Sequence, residues 1–401
     1  MGRDFQVPAD EIRWRQNRLQ KQMQEKGIAG LLIVQRVDLF YFSGTSQSGF
    51  LYVPAEGQPL LMIKKYLPRA RKESSLENIV GIHSIKSIPA LIADTYGTMP
   101  DVLGLELDVL PVNYFYKLRN LLGVREVVDG SPLILGTRMI KSAWEVEQMR
   151  RAAAMSYQTF EYMAGAIRTG LSEIEFTGMY EAFARKQGHG AMLRVRDFLT
   201  EGYAWHLLSG WSGGMVGVLD SPASGEGTSA AFPCGAGHKL LAADEPIMID
   251  FSCVLNGYHM DETRMFAIGS MPERAMQACQ AAVAIHDAVL DHVKPGVAIG
   301  ELFDVSVAKA AALGYADQYL GPPGNKVTFI GHGVGLELVE APIIAKDRKD
   351  VLKPGMTLAL EPKMVFENEF SAGIEDVFLV TETGYEMVSQ VPGKVFVCHP
   401  S

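Results

Sequence analysis

Two acidic residues stand next to apolar sequence, where an ionised carboxylate is costly. Asp250 follows the apolar residues 246–249, and Glu361 follows the similar stretch 356–360. A buried carboxylate without a partner must be protonated, paired with a base or bound to a cation. We expect no Lys or Arg immediately beside either acid on its own side of the turn, so the sequence favours a metal ion as the partner.

Each of these acids has a second acid on the predicted returning strand. Asp261 follows Asp250 by 11 positions, and Glu375 follows Glu361 by 14 (261 − 250 and 375 − 361). Two hairpins with one acid per strand bring their carboxylates to the same level of a sheet. His332 lies between the two segments and is flanked by glycines, which let the backbone approach closely. We therefore predict that the four acids and the histidine converge.

This set of donors favours divalent metal chemistry. Carboxylates with one imidazole are mostly hard ligands, which suit Mn, Co, Fe or Zn rather than a Cys-rich structural zinc site. Because several of the acids can bridge, two ions are favoured over one. Such a pair activates a shared hydroxide and stabilises the oxyanion formed at a carbonyl carbon. We assign Glu361 and His332 to catalysis as well as to metal binding, with Glu361 moving a proton to the leaving nitrogen.

Helix and strand signals precede and surround these residues. In the first third of the chain, an amphipathic stretch at 12–25 is followed by apolar runs at 29–34, 50–53, 60–63 and 102–105. The change from helical to strand periodicity predicts a small α/β domain. That domain has no cluster of His, Cys or acidic residues, so we expect it to act as a scaffold or oligomerisation domain.

The rest of the chain is predicted to contain an internal duplication. Capping boxes that start at Ser142 and Ser172 open two helices. Residues 167–171 and 293–297 share a Gly-containing turn before a helix, at a constant offset of 126 (296 − 170). Two similar halves enclose a cleft with pseudo-twofold symmetry, which is a natural place for a symmetric metal site.

Composition and charge exclude several classes of protein. The 401 residues carry a formal net charge of −9 without a basic block, so the footprint of a nucleic-acid binder is missing. Residues 1–16 lack the apolar core of a signal peptide, and no apolar run is long enough to span a membrane. The cysteines are far apart and unpaired in sequence, which favours reduced thiols. We expect a cytoplasmic protein with a short peptide or small amide substrate.

The motifs resemble those of the pita-bread metallohydrolases, which include aminopeptidase P, prolidase, methionine aminopeptidase and creatinase. The resemblance covers nearly the whole chain and is carried by the segments that hold the acids and the histidine, by residues 138–145 and by residues 41–44. It implies a creatinase-like α/β N-terminal domain over 1–137. It also implies an α+β pita-bread catalytic domain with a pseudo-twofold internal duplication over 138–401.

The same resemblance implies a site and an activity. The implied site holds two divalent ions, with manganese first and cobalt, iron or zinc as alternatives, and a homodimer is expected. The implied activity is hydrolysis of the amide bond in Xaa-Pro peptides, as in an aminopeptidase or dipeptidase. The implied metal ligands are Asp250, Asp261, His332, Glu361 and Glu375.

The substrate side departs from the family pattern. Where the peptidases have a second histidine seven positions after the ligand, this chain has Val339 before Glu340. Cys234 stands where a histidine is usual after proline, and Gly373 replaces an arginine two residues before the last acid. We consider His238 and His206 as replacements, so the predicted substrate-binding residues are His238, His206, Val339 and Glu340.

Two other functions stay open at this level. Loss of the substrate-side histidines and the arginine is compatible with a small-molecule amide or amidine hydrolase or a lyase, resembling creatinase, ectoine hydrolase or the dimethylsulfoniopropionate lyases. The fold also supplies catalytically silent binding proteins. The complete set of metal-ligand types favours a metal-dependent enzyme over the silent binder.

Overall fold

The structure is a computed structural model that describes residues 5–196, 206–217 and 221–399. The chain divides into two compact units, Met1–Arg138 and Met139–Ser401. Among the described residues, none of the helices combines the length and the apolar character that crossing a membrane requires. Cys234, Cys253, Cys279 and Cys398 are buried and free of disulfide bonds.

Unit 1 alternates helices and strands along the sequence. Its helices are α1 Ala9–Glu25, α2 Arg36–Ser43, α3 Leu67–Glu73, α4 Ile88–Tyr96, α5 Val112–Leu122 and α6 Ser131–Arg138. Its strands are β1 Gly30–Ile33, β2 Gly49–Pro54, β3 Leu60–Ile63, β4 Ile79–Gly81, β5 Val102–Leu105 and β6 Glu126–Asp129. A short 3-10 helix, Ile85–Ser87, precedes α4. The predicted amphipathic helix and the four predicted strands are confirmed.

The strands of unit 1 form one mixed sheet. Its order is β4-β3-β2-β1-β5-β6, with β1 antiparallel to β2 and parallel to β5. Leu32, Phe50 and Leu103 lie in one buried cluster on this sheet. β1, β2, β3 and β5 are largely buried, whereas β4 and β6 at the two edges are partly exposed. Buried inner strands are usual in α/β domains, where helices cover the faces of the sheet.

Unit 2 begins with two helices and continues with strands in two groups. Its helices are α7 Ala143–Ala166, α8 Glu173–Gln187, α9 Glu273–Leu290 and α10 Ile299–Ala312. Its first strands are β7 His206–Ser209, β8 Ile247–Leu255 and β9 Tyr258–Ile268, with the 3-10 helix Gly210–Gly214 after β7. Its later strands are β10 Phe329–Gly333, β11 Glu340–Ala345, β12 Thr357–Leu360, β13 Lys363–Phe366, β14 Phe370–Gly373, β15 Asp376–Val380, β16 Tyr385–Met387 and β17 Phe396–Cys398.

These strands form separate sheets in the described part of unit 2. One has the order β11-β10-β12-β15-β16, another the order β17-β9-β8-β7, and β13 pairs with β14. A large buried cluster joins α9 and α10 to the strands and includes Ile285, Leu302, Met248 and Leu360. The strands that carry the acids are thus fixed by apolar packing on their other faces.

Both predicted capping boxes are present. The Ser142 hydroxyl accepts a hydrogen bond from the Glu145 amide, and the Glu145 carboxylate accepts one from the Ser142 amide, each at 3.1 Å. The equivalent distances between Ser172 and Glu175 are 3.2 and 2.8 Å. Each box satisfies backbone donors that the first turn of a helix leaves open, and α7 and α8 start at these points.

Equivalent backbone hydrogen bonds occur in the two halves of unit 2. Gly170 donates to the carbonyl of Leu241 at 3.0 Å, and Gly296, 126 positions later, donates to the carbonyl of Leu352 at 2.9 Å. Both glycines have positive φ, 84° and 88°, a conformation that other L-residues rarely adopt. The repeated turn and its repeated partners support the internal duplication that the sequence pattern predicts.

Candidate metal centre

Two strand pairs carry the acids of the predicted site. In the antiparallel β8–β9 pair, Asp250 lies opposite Thr263, and Asp261 lies opposite Ser252. Thr263 also forms a bridge with Glu375, which directly precedes β15. This bridge connects the β8–β9 hairpin to the second acid-bearing segment, so residues distant in sequence meet at one point.

The second strand pair adds the other acid and the histidine. β12 ends at Leu360, next to Glu361, and pairs with both β15 and β10. In the β10–β12 pair, His332 lies opposite Ala359. A Cβ atom on Gly331 would collide with the carbonyl oxygen of Ala359, so glycine is required for this close approach. The structure therefore brings together all five residues that the sequence pattern selects.

The His332 ring faces the acids with one nitrogen. Its Nε2 lies 3.6 Å from Glu361 Oε1 and 3.8 Å from Asp261 Oδ2. Its Nδ1 is 3.0 Å from the carbonyl oxygen of Gly333. A proton on Nδ1 that is donated to this carbonyl leaves the Nε2 lone pair free for a metal ion, which is a common arrangement for metal-binding histidines.

Part of the site fits a divalent ion. The ligand atoms of Asp261, His332 and Glu375 all lie within 4.8 Å of one another, and the three residues are buried. Within the described residues, Glu375 Oε1 is a buried oxygen without a hydrogen-bond partner. A buried carboxylate oxygen is rarely left without a partner, and a cation at this point would satisfy it.

Lys363 is the residue of this site that the sequence analysis missed. Its Nζ donates hydrogen bonds to Asp250 Oδ2 and Glu361 Oε2, both at 2.8 Å, and lies 3.5 Å from Glu375 Oε2. Its side chain is 1% exposed. No Lys or Arg stands immediately beside either acid on its own strand, but the argument from that fact to a metal ion overlooks Lys363. This residue follows Glu361 by two positions, across Pro362, and its ammonium reaches both Asp250 and Glu361.

The ionisation of the site follows from burial and from this lysine. Burial opposes ionisation of Asp250, but the charge of Lys363 and the hydrogen bond with His206 outweigh it and hold the pKa of Asp250 below its ordinary value. Burial by itself lowers the pKa of Lys363, whereas the surrounding carboxylates raise that pKa well above its ordinary value. Burial and the Asp250 charge raise the pKa of Asp261, and burial and the Asp261 charge raise that of Glu375. The Lys363 ammonium alone is thus not enough to favour the ionised forms of Asp261 and Glu375.

One of the predicted substrate-side histidines lies against the acids. His206, in β7, is the register partner of Asp250 in β8, and its Nδ1 is 3.3 Å from Asp250 Oδ2. Its Nε2 is buried without a hydrogen-bond partner among the described residues. His238, by contrast, is exposed.

Of the other two predicted substrate-binding residues, Glu340 begins β11 and Val339 directly precedes it. Val339 is 41% exposed. Glu340 is buried, and its carboxylate accepts hydrogen bonds from Lys141 Nζ and from the Glu337 amide, both at 3.0 Å. The Glu340 carboxylate is thus occupied by a structural ion pair.

The fold and the site together define a two-domain, metal-binding hydrolase of the pita-bread type. The chain belongs to metallopeptidase family M24, whose model matches residues 147–382, and the Creatinase/Prolidase N-terminal domain matches residues 15–140. The predicted family and fold class are confirmed.

Relatives match over nearly their full lengths. The Xaa-Pro dipeptidase of Pyrococcus furiosus is 25% identical over 380 residues, which cover 94% of this chain and 97% of that protein. The solved Xaa-Pro dipeptidase from Bacillus anthracis has a TM-score of 0.80 at 22% identity, covering 97% of this chain and 99% of that one. The prolidase from Pyrococcus horikoshii has a TM-score of 0.78 at 20% identity, with coverage of 94% and 99%.

Proposed function

We propose that this protein is a metal-dependent peptidase that hydrolyses short peptides with proline at the second position. The observation that carries the proposal is the buried convergence of Asp261, His332 and Glu375, whose ligand atoms lie within 4.8 Å of one another. Membership of family M24 supports the reaction class. Full-length similarity to a protein named Xaa-Pro dipeptidase supports the substrate class.

In this proposal, Asp261, His332, Glu361 and Glu375 hold a divalent ion. A bound ion of this kind supplies Lewis acidity toward a peptide carbonyl. Glu361 accepts the proton of the attacking water and passes it to the leaving nitrogen. Lys363 holds the Glu361 carboxylate in place through its hydrogen bond to Oε2, which leaves Oε1 directed toward His332.

Asp250 and His206 have a supporting role in the proposed reaction. Asp250 Oδ2 is held by Lys363 on one side and approached by His206 on the other. A carboxylate fixed in this way keeps the ammonium of Lys363 directed at Glu361. The position of His206 beside the acids makes it the preferred substitute for the missing substrate-side histidine, ahead of the exposed His238.

Three further properties belong to the proposal. Manganese is the proposed native ion because the donor set is rich in carboxylate oxygen. The proposed cytoplasmic location rests on cysteines that are buried and form no disulfide bond in the described residues. The homodimer stays a prediction from the family resemblance, and light scattering on the purified protein tests it.

The proposal is tested with a panel of Xaa-Pro dipeptides, Xaa-Pro tripeptides and matched Xaa-Ala peptides. Hydrolysis is measured at increasing Mn²⁺ or Co²⁺ after removal of metal with a chelator. We expect cleavage of the proline peptides that requires added metal and is lost in H332A. Absence of turnover of every peptide by the metal-loaded protein rules the proposal out. Small amides and amidines are assayed in parallel, and turnover restricted to these compounds favours the small-molecule hydrolase instead.

A further inference from the structure

We infer that each chain binds one divalent ion, and that the ammonium of Lys363 takes the place of a second ion among the acids. The inference concerns the metal site used in the proposed function and therefore rests on it. It differs from the two-ion site that the family resemblance implies. The difference comes from a side chain of this protein that lies inside the acid cluster.

Lys363 occupies one side of the cluster. Its Nζ is 2.8 Å from Asp250 Oδ2, 2.8 Å from Glu361 Oε2 and 3.5 Å from Glu375 Oε2. Glu375 Oε2 also accepts a hydrogen bond from the Thr263 hydroxyl at 2.8 Å. A second ion coordinated by these three oxygens would stand about 2.0 to 2.2 Å from each of them, in the space that the ammonium fills.

The other side of the cluster remains open to an ion. Glu361 directs Oε1 toward His332 Nε2 at 3.6 Å, and Asp261 directs Oδ2 toward the same nitrogen at 3.8 Å. Both distances are too long for hydrogen bonds. Glu375 Oε1 is buried and lacks a hydrogen-bond partner among the described residues. Glu361 and Glu375 therefore each have one oxygen near Lys363 and one oxygen available for a metal ion.

The backbone fixes Lys363 in this position. Lys363 pairs with Gly373 across the β13–β14 ladder, and its carbonyl accepts a hydrogen bond from the Leu320 amide at 2.9 Å. A Cβ atom at position 373 would lie 2.6 Å from Lys363 Cγ. The lysine stem thus lies over a glycine that leaves room for it, and its burial favours this position.

Charge leads to the same assignment. The four carboxylates carry four negative charges. One divalent ion and the ammonium leave a net charge of −1, and two ions with the ammonium leave +1, so the totals alone do not separate the two cases. A second ion would, however, stand directly beside the ammonium, with two like charges in contact. Repulsion between neighbouring cations is strong in a buried site, where solvent does not screen it. The lysine therefore disfavours the second ion by charge as well as by volume.

The test is the metal content of the intact protein saturated with Mn²⁺ and passed through a desalting column. We expect close to one Mn²⁺ per chain by elemental analysis, and the electron paramagnetic resonance spectrum of an isolated ion. Two ions per chain, or the spectrum of an exchange-coupled pair, overturns the inference. A protein that retains no ion after saturation overturns it as well.

Variants of Lys363 test the cause. K363A opens the space and removes the charge, so we expect it to bind a second Mn²⁺ and to give the exchange-coupled spectrum. K363M removes the charge but keeps most of the volume, so it should retain one ion. K141A is the matched control. Lys141 is also buried and paired with a glutamate, but among the described residues the structure shows no hydrogen bond or ion pair between its side chain and any of the five predicted ligands.

These readouts separate the inference from the proposed function. A protein that binds one ion but hydrolyses no peptide contradicts the proposed function and supports the inference. A protein that binds two ions and hydrolyses peptides supports the proposed function and contradicts the inference. A folded K363A that still binds a single ion, with circular dichroism like that of the wild type, overturns the role assigned to Lys363.

Discussion

Lys363 and Gly373 lie opposite each other in the β13–β14 pair, and the stem of the lysine fills the space where a side chain at 373 would begin. The family resemblance marks position 373 as one where an arginine is usual. Here the positive charge instead comes from the neighbouring strand and points into the acids, 2.8 Å from Asp250. The glycine at 373 and the lysine at 363 thus belong together, because the lysine stem needs the space that a larger side chain at 373 would fill.

The first prediction concerns this pair of residues. In G373A, the new methyl group meets Lys363 Cγ at 2.6 Å and the Pro362 carbonyl oxygen at 3.2 Å. We expect a loss of about 1–3 kcal/mol in the free energy of unfolding, because overpacking forces side chains and backbone to shift. Urea denaturation followed by circular dichroism measures the loss.

G165A is the control for this substitution. Gly165 lies in α7, and a Cβ atom there meets nothing within 4 Å. Because Gly165 lies in the last turn of α7, alanine there should leave stability unchanged or raise it by at most about 1 kcal/mol. Equal unfolding free energies for G373A and the wild type would contradict the proposed packing.

The second prediction concerns the charge of Lys363. K363M keeps a side chain of similar length but leaves Asp250 and Glu361 without their cation. Removing one partner of a buried ion pair costs about 3–5 kcal/mol, since the remaining charge is uncompensated. We expect a loss of this size in the unfolding free energy of the metal-free protein. A loss below about 1 kcal/mol, typical of exposed pairs, would show that the ammonium does not stabilise the acids.

The third prediction distinguishes two histidines. H332A should weaken Mn²⁺ binding by more than about 10-fold, because it removes a side chain that binds the metal directly. Substituting a residue that only hydrogen-bonds to a metal ligand already costs about 10- to 100-fold in metal affinity. H238A, at an exposed position, should bind Mn²⁺ like the wild type. Isothermal titration calorimetry measures both affinities. Equal affinities for H332A and H238A would remove His332 from the site.

The fourth prediction concerns pH and lies in unit 1. Glu106 is fully buried and accepts a hydrogen bond from the Gln35 amide at 2.9 Å. Burial, and then the charge of Asp38, raise the pKa of Glu106 well above its ordinary value. Arg138 is the cation beside Asp38, at 2.7 Å. In the folded state, Glu106 thus keeps a proton that it releases on unfolding.

The sign of the pH effect follows directly. Between the unfolded and folded pKa values of Glu106, the folded state binds more protons, so this group's contribution to stability falls as pH rises. A single group contributes at most about 1.4 kcal/mol per pH unit. E106Q removes the contribution, so the wild type should lose stability relative to E106Q between pH 5 and pH 8. Parallel stability curves from denaturant titrations at several pH values contradict this assignment.

Local signals in the sequence predict much of the fold. The capping boxes at Ser142 and Ser172 start helices because the same few residues that form the signal also satisfy the helix end. The acids of the site follow from a similar argument, since Asp250 and Glu361 adjoin apolar strands and need a partner. The position of Asp261 follows from hairpin geometry, because β8 and β9 are consecutive paired strands. The predicted second hairpin is wrong, because β13 and β14 lie between β12 and β15 and form a separate pair, although β12 and β15 still pair and bring Glu375 near Glu361.

Long-range register decides what the sequence analysis missed. His206 meets Asp250 because β7 pairs with β8, and the two residues are 44 positions apart in the sequence. Lys363 meets Asp250 across 113 positions. A signal for Lys363 was present, because residues two apart on an extended segment point to the same face, and Lys363 follows Glu361 by two. Pro362 between them obscured the strand periodicity.

The most direct test is a crystal structure of the protein grown with Mn²⁺, with diffraction recorded at the manganese absorption edge. We predict one anomalous peak per chain, bounded by Asp261, His332, Glu361 and Glu375, with the Lys363 ammonium between Asp250 and Glu361. Two peaks among the acids, or no peak with the acids drawn around Lys363 alone, would contradict this account.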